Sequence, residues 1–418
     1  MLRVSFARNR EPSFETDIIW LSIRKTEGLP DSCEITIIDS EGLWRDSPLF
    51  EPETAMTVQI EQGGNLVAAF SGEVCGAELA YTALSPARLT IRGYDLSHRL
   101  QERSGTRSFV GMRVSEIAAQ IAAEYGFESD IEETDEVFPI ITQAGSSDWD
   151  FLQEKIRQTG RILSFRDNNA LSSRESNAPV RTLIFGEDLL EFHSIKSFPT
   201  RGAAVRVRGW DFEAKETIIG FAELPDDGAG GKGKTLREFF LSISSQSQAD
   251  SLAKRLCEEM KERRSDASFI LAGFVELSPG DPVKVEGAGT RFGGNYRLSE
   301  VRYEFDTTVA LRTNLVAQNR NLNSQLTCNK EECFPEACSA FGIVVDLEDP
   351  LGLGRARVRF PWLSDSETSD WARVIVQSST LAGERYLKID DEVYVAFDGG
   401  DLDRPIILGR IVGSRNSS

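Results

Sequence analysis

The sequence predicts a mainly β chain with a mixed α/β insert: two tandem, related β-barrel-like domains followed by a smaller barrel of five short strands. Three observations predict it. Apolar and polar residues alternate through much of the first 100 residues, the period of two that lines one face of a strand. A strand ending in Arg-Gly-aromatic-Asp occurs twice, once on each side of a stretch with helical periodicity. The C-terminal part holds five short apolar runs in about seventy residues, separated by Asp/Gly/Pro turns.

The first domain is read as 1–100. Apolar positions alternate in Cys33-Glu34-Ile35-Thr36-Ile37 and again in Met56-Thr57-Val58-Gln59-Ile60, and a return runs from Leu66 to Phe70. Gly63-Gly64 between them supplies the positive φ of a tight hairpin, with Asn65 tolerant of the same geometry. The segment Leu89-Thr90-Ile91-Arg92-Gly93-Tyr94-Asp95-Leu96 then resembles Val205-Arg206-Val207-Arg208-Gly209-Trp210-Asp211-Phe212. The glycine is expected to let the strand bend and the aromatic to cap a barrel mouth. Duplication is the preferred explanation, which makes 203–312 the second barrel domain.

Between them, 101–202 is read as the α/β insert. Val114, Ile117, Ile121 and Tyr125 recur at helical spacing before Gly126, a C-terminal stop. A second helix is predicted from near Asp148, with Phe151, Leu152 and Ile156 inward and a stop at Gly160. Asn168-Asn169 and the Ser-rich run from Ser172 to Asn177 are expected to be surface turns.

In the second domain the Gly-rich stretch from Asp226 to Gly233 reads as a mobile hairpin tip. It lacks the Gly-Lys-Ser/Thr ending that a phosphate-cradling loop needs. A helix is predicted from Gln248 to Arg263 through Leu252, Leu256 and Met260, and strands at Val283–Val285 and Tyr296–Phe305. Residues 313–340 lose both periods and read as a linker. Cys328, Cys333 and Cys338 lie in it at a spacing of five, without the close pair and fourth ligand typical of structural zinc. Their role stays open between a metal, contacts with symmetry-related copies, and none. The final domain, 341–414, has strands at Phe341–Val345, Ala356–Phe360, Trp371–Val376, Val393–Phe397 and Pro405–Val412. Turns at Asp349–Gly352 and Asp398–Asp401 separate them, and five such strands suit an OB-type barrel.

Composition narrows the function. Of 418 residues, 66 are acidic and 47 basic, a formal charge of −19, which opposes a free-standing nucleic-acid binder or attachment to anionic lipid through a basic patch. Residues 1–20 carry Arg3, Arg8 and Arg10 but no secretory apolar core, and no run of about 18 apolar residues occurs, so synthesis and assembly in a cytosol are expected. Six cysteines are too few for a disulfide scaffold, and Cys33, Cys75 and Cys257 are read as reduced, buried thiols. The two histidines, His98 and His193, leave little material for a metal site or a His-activated nucleophile. No catalytic, cofactor-binding or metal residue is therefore assigned.

A resemblance adds to this reading. Gly342-Ile343-Val344, Asp349-Pro350-Leu351-Gly352-Leu353-Gly354-Arg355 and Arg357-Val358-Arg359-Phe360-Pro361-Trp362-Leu363 resemble the OB-domain signature of the VgrG and phage tail-hub and spike family. Trp371-Ala372-Arg373-Val374, Asp391 to Phe397, and Gly400-Asp401 with Arg404 to Gly409 continue it in order. Gly93-Tyr94-Asp95, the Phe109–Gly126 region, Ser147-Asp148-Trp149-Asp150-Phe151-Leu152, Pro279-Gly280-Asp281 and Gly294-Asn295-Tyr296 resemble its tail-hub part. Lys388-Ile389-Asp390 departs from the proline- and glycine-containing turn usual before Asp391, so that loop is expected to differ. The family's OB domain commonly leads into a β-helical needle or an effector. This sequence ends at Ser418, which implies a short spike completed by a separate tip protein, or a truncated product.

The resemblance implies a homotrimeric hub-spike at the baseplate centre of a contractile injection system: a phage tail, a type VI secretion apparatus or an extracellular particle. Implied partners are a hexameric tail tube protein, baseplate wedge components, a PAAR-like spike-tip protein and a cargo effector, with no nucleic acid, no membrane anchor and no cofactor. Two similar barrels per copy make a trimer look six-fold, which seats it on a hexameric tube. Two rivals are kept. A cell-wall-degrading enzyme would draw on Asp365, Glu367 and Asp370, which otherwise form a solvated turn. An OB-type oligonucleotide- or sugar-binding protein would use Arg355, Arg357 and Arg359, which alternate along one strand amid Asp346, Glu348 and Asp349.

Overall fold

The computed structural model describes residues 2–412 except 8, 11, 84, 135, 160, 167–169, 174–178, 197–201, 212–214, 224–233, 241–242, 244, 263–264, 309, 318–338, 362, 365–366 and 377–385. The chain opens with β1 (Leu2–Phe6), β2 (Asn9–Arg10), α1 (Pro12–Asp17), β3 (Ile18–Thr26), β4 (Ser32–Ile38), β5 (Ala55–Gln62), β6 (Asn65–Thr82) and β7 (Ser85–Tyr94). Alternation decides which face is buried: Cys33, Ile35 and Ile37 are sealed, and Ser32, Glu34 and Thr36 between them stay partly exposed. Gly63 and Gly64 join β5 to β6 with φ of 59° and 87°, the positive pair a two-residue hairpin demands. Beside the part of β1 that β2 does not cover lies α1, whose Glu15 carboxylate accepts the Val4 N–H at 3.1 Å.

Cys75 departs from the expected buried thiol. A register shift between Val74 and Gly76 makes it the extra residue of a bulge in β6, and the bulge turns its side chain to solvent. Cys33 and Cys257 are buried as expected.

The insert contains α2 (Arg99–Glu102), β8 (Ser104–Arg113), α3 (Val114–Glu124), β9 (Glu128–Asp130), β10 (Val137–Ser147), α4 (Asp148–Gln158), β11 (Ser164–Arg166) and β12 (Ala170–Ser172). It has its own core, in which Val114, Ile117 and Ile121 of α3 meet Phe151, Leu152 and Ile156 of α4. The turn expected at Ser172-Ser173 is a correction: Ser172 ends β12, and both serines are buried. Ser173 accepts the Glu132 N–H at 3.2 Å, so its hydroxyl serves a partner 41 residues away. Asn168, Asn169, Gly160 and residues 174–177 lie outside the described residues.

Next come β13 (Arg181–Ile184), β14 (Leu189–Lys196), β15 (Gly202–Asp211), β16 (Glu216–Glu223), β17 (Lys234–Phe240), α5 (Gln246–Glu262), β18 (Ser265–Ala272), β19 (Pro282–Glu286), α6 (Gly289–Phe292), β20 (Gly294–Arg297), β21 (Glu300–Asp306) and β22 (Ala310–Ala317). An eleven-stranded sheet of order β14-β18-β22-β21-β3-β4-β7-β6-β5-β1-β2 unites the two β regions. The seam is β21 on β3, antiparallel from Glu300↔Thr26 to Asp306↔Trp20, and a single core runs beneath it. A smaller sheet, β16-β15-β17, packs on α5 through Val205, Val207, Leu252 and Leu256.

The two Arg-Gly-aromatic strands occupy different sheets, β7 the large one and β15 the small one. Their glycines share a different role from the expected bend. A Cβ at Gly93 would meet the Glu73 carbonyl oxygen at 2.8 Å, and one at Gly209 would meet Ile243 Cβ at 2.9 Å, so both permit close approach. β22 also runs on through Ala317 into the segment read as linker, because Thr313, Leu315 and Ala317 keep a period of two and are buried. The Gly-rich stretch 226–233 and Cys328, Cys333 and Cys338 lie outside the described residues.

The last unit holds β23 (Ser339–Asp346), β24 (Arg357–Arg359), β25 (Arg373–Val374), β26 (Glu392–Phe397) and β27 (Pro405–Arg410), in the order β24-β23-β26-β27-β25. A bridge between Ala356 and Ala372 closes the ends on each other. Val344, Val358, Val393, Val395 and Ile407 fill the interior.

Candidate functional site

The most specific stretch of sequence builds a rigid loop between β23 and β24. The Asp349 carboxylate, 2% exposed, accepts the Leu351 N–H at 3.1 Å on Oδ1 and the Leu353 N–H at 2.9 Å on Oδ2. Arg355 forks onto both oxygens, Nε to Oδ2 at 3.1 Å and Nη2 to Oδ1 at 2.9 Å. That guanidinium, with the backbone N–H groups, holds the Asp349 carboxyl far below the usual carboxylate range. Gly352 and Gly354 take positive φ of 66° and 76°, and Leu351 and Leu353 are held out in solvent at 58% and 57% exposure. A buried ion pair thus fixes a loop that presents two leucines, a device suited to contact rather than to chemistry.

The arginine stripe is largely engaged within the chain. Arg355 is locked to Asp349, and Arg357 lies over the Trp371 ring at 5.1 Å. Of the three carboxylates considered for an enzyme, Glu367 donates its N–H to Ser364 Oγ at 3.2 Å and Asp370 accepts the Ser369 hydroxyl on its carbonyl, both in the turn between β24 and β25. Asp365 lies outside the described residues. In the departing loop Asp390 takes φ of 69°, a left-handed conformation for which glycine is the default.

The insert signature Ser147–Leu152 is a second fixing point. Ser147 caps α4 by accepting the Asp150 N–H at 3.1 Å. The buried Asp148 gathers Arg107 at 2.7 Å, Gln143 at 2.8 Å and the Tyr125 hydroxyl at 2.7 Å. Burial and this carboxylate push the Tyr125 phenol up to about 12. Trp149 Nε1 donates to the Gly28 carbonyl at 3.2 Å, tying α4 to the turn between β3 and β4.

Sequence reading missed a cluster at the end of β7. Asp95 caps the turn Leu96–His98, and His98 Nδ1 meets the Asp95 carbonyl at 2.7 Å. His98 Nε2 faces Glu73 Oε1 at 3.3 Å and Cys75 Sγ at 3.6 Å, while Arg99 forks onto Glu73. Partial desolvation and the nearby Glu73 raise the Cys75 thiol although its side chain reaches solvent, the wrong direction for a nucleophile. The bulge brings Cys75 to this group, and a bulge has no reliable sequence mark. His193 lies on β14 opposite Ser268, apart from them. Among the described residues no cluster of three or more His, Cys, Asp or Glu is arranged to hold a metal ion, and no helix is long and apolar enough to cross a membrane.

Comparison with known proteins places this geometry. Residues 340–411 match the family described as the type VI secretion system/phage-baseplate injector OB domain. Residues 31–307 match the family described as the Alg8 N-terminal domain. Among solved structures, the chain is similar to the E. coli c3393 protein, described as a component of the type VI secretion system with structural similarity to the T4 phage tail proteins gp27 and gp5. That match has 14% identity, covers 98% of this chain and 100% of that one, and has a TM-score of 0.61. The 43 kDa tail protein of prophage MuSo2 from Shewanella oneidensis matches at 15% identity over 76% of this chain and 98% of that one, with a TM-score of 0.57. A chain of the Francisella PdpA-VgrG complex matches at 10% identity over 96% and 68%, with a TM-score of 0.55. The fold is therefore tail-hub-like with a C-terminal OB domain, as the resemblance implied. With residues 31–307, more than half of its length, in the Alg8 match, the chain belongs to the Alg8 N-terminal domain family, and it carries a VgrG-like, tail-hub-like fold whose C-terminal barrel matches the injector OB domain.

Proposed function

We propose that the chain is a structural hub-spike of a contractile injection system: three copies form the baseplate centre, cap a hexameric tail tube and are driven into a target envelope when the sheath contracts. The observation that carries this reading is the joining of a tail-hub-like sheet and an injector OB domain in one chain, in the same order as in the E. coli type VI component it matches end to end. Two β regions per copy would give a trimer six similar units around its axis, the count a hexameric tube requires. The role needs stiffness, and the eleven-stranded sheet and the ion-paired loops supply it.

Baseplate wedge proteins, a spike-tip protein and a cargo effector complete the proposed assembly, and the finished particle is its proposed location. The proposed role is mechanical and uses no covalent chemistry. Turnover of peptidoglycan or another glycan by the purified chain would count against it. Light scattering tests the assembly: a stable species near three times 46.4 kDa is expected, and a monomer at every concentration would overturn the trimeric mechanism.

A further inference from the structure

One carboxylate joins the OB barrel to the α/β insert across more than half of the chain. Asp403 sits in the turn between β26 and β27, and that turn is held in shape before it meets anything. The Asp401 N–H reaches the Asp398 carbonyl at 3.2 Å, the Arg404 N–H reaches the Asp401 carbonyl at 3.0 Å, and the Asp403 N–H reaches Asp401 Oδ1 at 3.0 Å. Arg404 also pairs with Asp398 at 3.4 Å, and Gly400 takes φ of 83°. Asp403 is thereby aimed away from its own barrel.

It meets two elements of the insert. Its Oδ1 accepts the Thr142 N–H of β10 at 2.8 Å, and its Oδ2 faces Lys155 Nζ of α4 at 3.4 Å. Thr142 pairs with Ser108 on one side of β10, and its N–H points outward from that two-stranded sheet to Asp403. The Lys155 side chain is only 12% exposed and that of Asp403 15%, so each charge has exchanged water for the other. Burial works against the Lys155 charge, but Asp403, with Glu154 and Asp401 nearby, outweighs it and raises Lys155, while burial pushes Asp403 itself up to about 6 against the pull of Lys155. Among the described residues no strand of the barrel pairs with a strand outside it, so side chains make the connection.

We propose that Asp403, with Thr142 and Lys155, is the joint that locks the OB barrel onto the hub insert, so that barrel and hub turn as one body. The joint does not depend on the proposed function: it holds in a single copy, whatever the chain assembles with.

Hydrogen exchange and small-angle scattering on the full chain test it, comparing wild type with Asp403→Ala, Lys155→Met and the double variant. In Asp403→Ala the Thr142 amide should exchange about tenfold faster and the distance distribution should broaden at long distances, with β26 and β27 as protected as before. The double variant should be no looser than Asp403→Ala, because one contact cannot be lost twice. Unchanged Thr142 exchange with an unchanged distance distribution would overturn the joint, as would strictly additive effects of the two substitutions. If Asp403→Ala fails to fold, Lys155→Met decides: a broadened distribution supports the joint and an unchanged one rejects it.

Discussion

Asp349 and Asp31 are both largely withdrawn from water, yet they respond to pH with opposite sign. Asp349 is held below the carboxylate range by Arg355, so its contribution is present above the unfolded value of about 4 and is lost only as pH falls further. Asp349→Ala should cost the barrel about 3–5 kcal/mol, because Arg355 keeps its burial and loses this carboxylate while three loop N–H groups lose their acceptor. Chemical denaturation followed through Trp371 fluorescence would measure it. Asp31 is pushed up to about 7, chiefly by burial, with Lys25 at 3.5 Å offsetting part of that and Asp95 adding to it. A raised acid contributes stability in full below its unfolded value and loses it as pH rises through the folded one. Stability should therefore decline between pH 4 and about 7, and Asp31→Asn should flatten that slope in thermal melts. A slope unchanged by the substitution would assign the titration to another group. Asp390→Gly should gain up to about 1 kcal/mol by relieving the left-handed backbone at φ 69°.

At the scale of elements, the insert shows what a sequence can and cannot disclose. Helices α3 and α4 are legible because their period, caps and stops are local: Val114, Ile117 and Ile121 on one face, Ser147 as cap, Gly126 after the end. Ser172 and Ser173 are not, since composition marks them as a turn while their burial is set by β9 and by Glu132, far away in sequence. Cys75 misleads for a related reason: the bulge that exposes it is a property of its pairing with β7. The Asp349–Arg355 motif is readable as a signature, but its chemistry, a carboxylate bracing a loop, emerges only with the distances. The same holds for Trp149, whose ring looks like ordinary core and whose Nε1–H ties the insert to Gly28. Trp149→Phe keeps most of the apolar contact and loses that bond. It should cost about 1 kcal/mol and speed exchange in α4 and the turn at Gly28 before it affects β5 or β6.

For the whole molecule, the seam between β3 and β21 governs cooperativity. The two β regions were legible as similar strand-rich stretches, but no local pattern states that Trp20–Thr26 pairs with Glu300–Asp306, because that register is fixed by a core to which both regions contribute. Strands that share one ladder and one core cannot melt separately without exposing Leu21, Ile23, Val301 and Tyr303 together. The OB barrel has its own core and meets the insert through side chains, so it can melt alone. Calorimetry at fixed protein concentration should therefore resolve one transition for both β regions and a separate one for the barrel. Gly93→Ala sets a Cβ against the Glu73 carbonyl at 2.8 Å and should lower only the first, whereas Asp349→Ala should lower only the second. Separate transitions for the two β regions would mean that the seam is weaker than its continuous register implies. A Gly93→Ala shift in the barrel transition would mean that the two cores are coupled more tightly than the contacts at Asp403 account for.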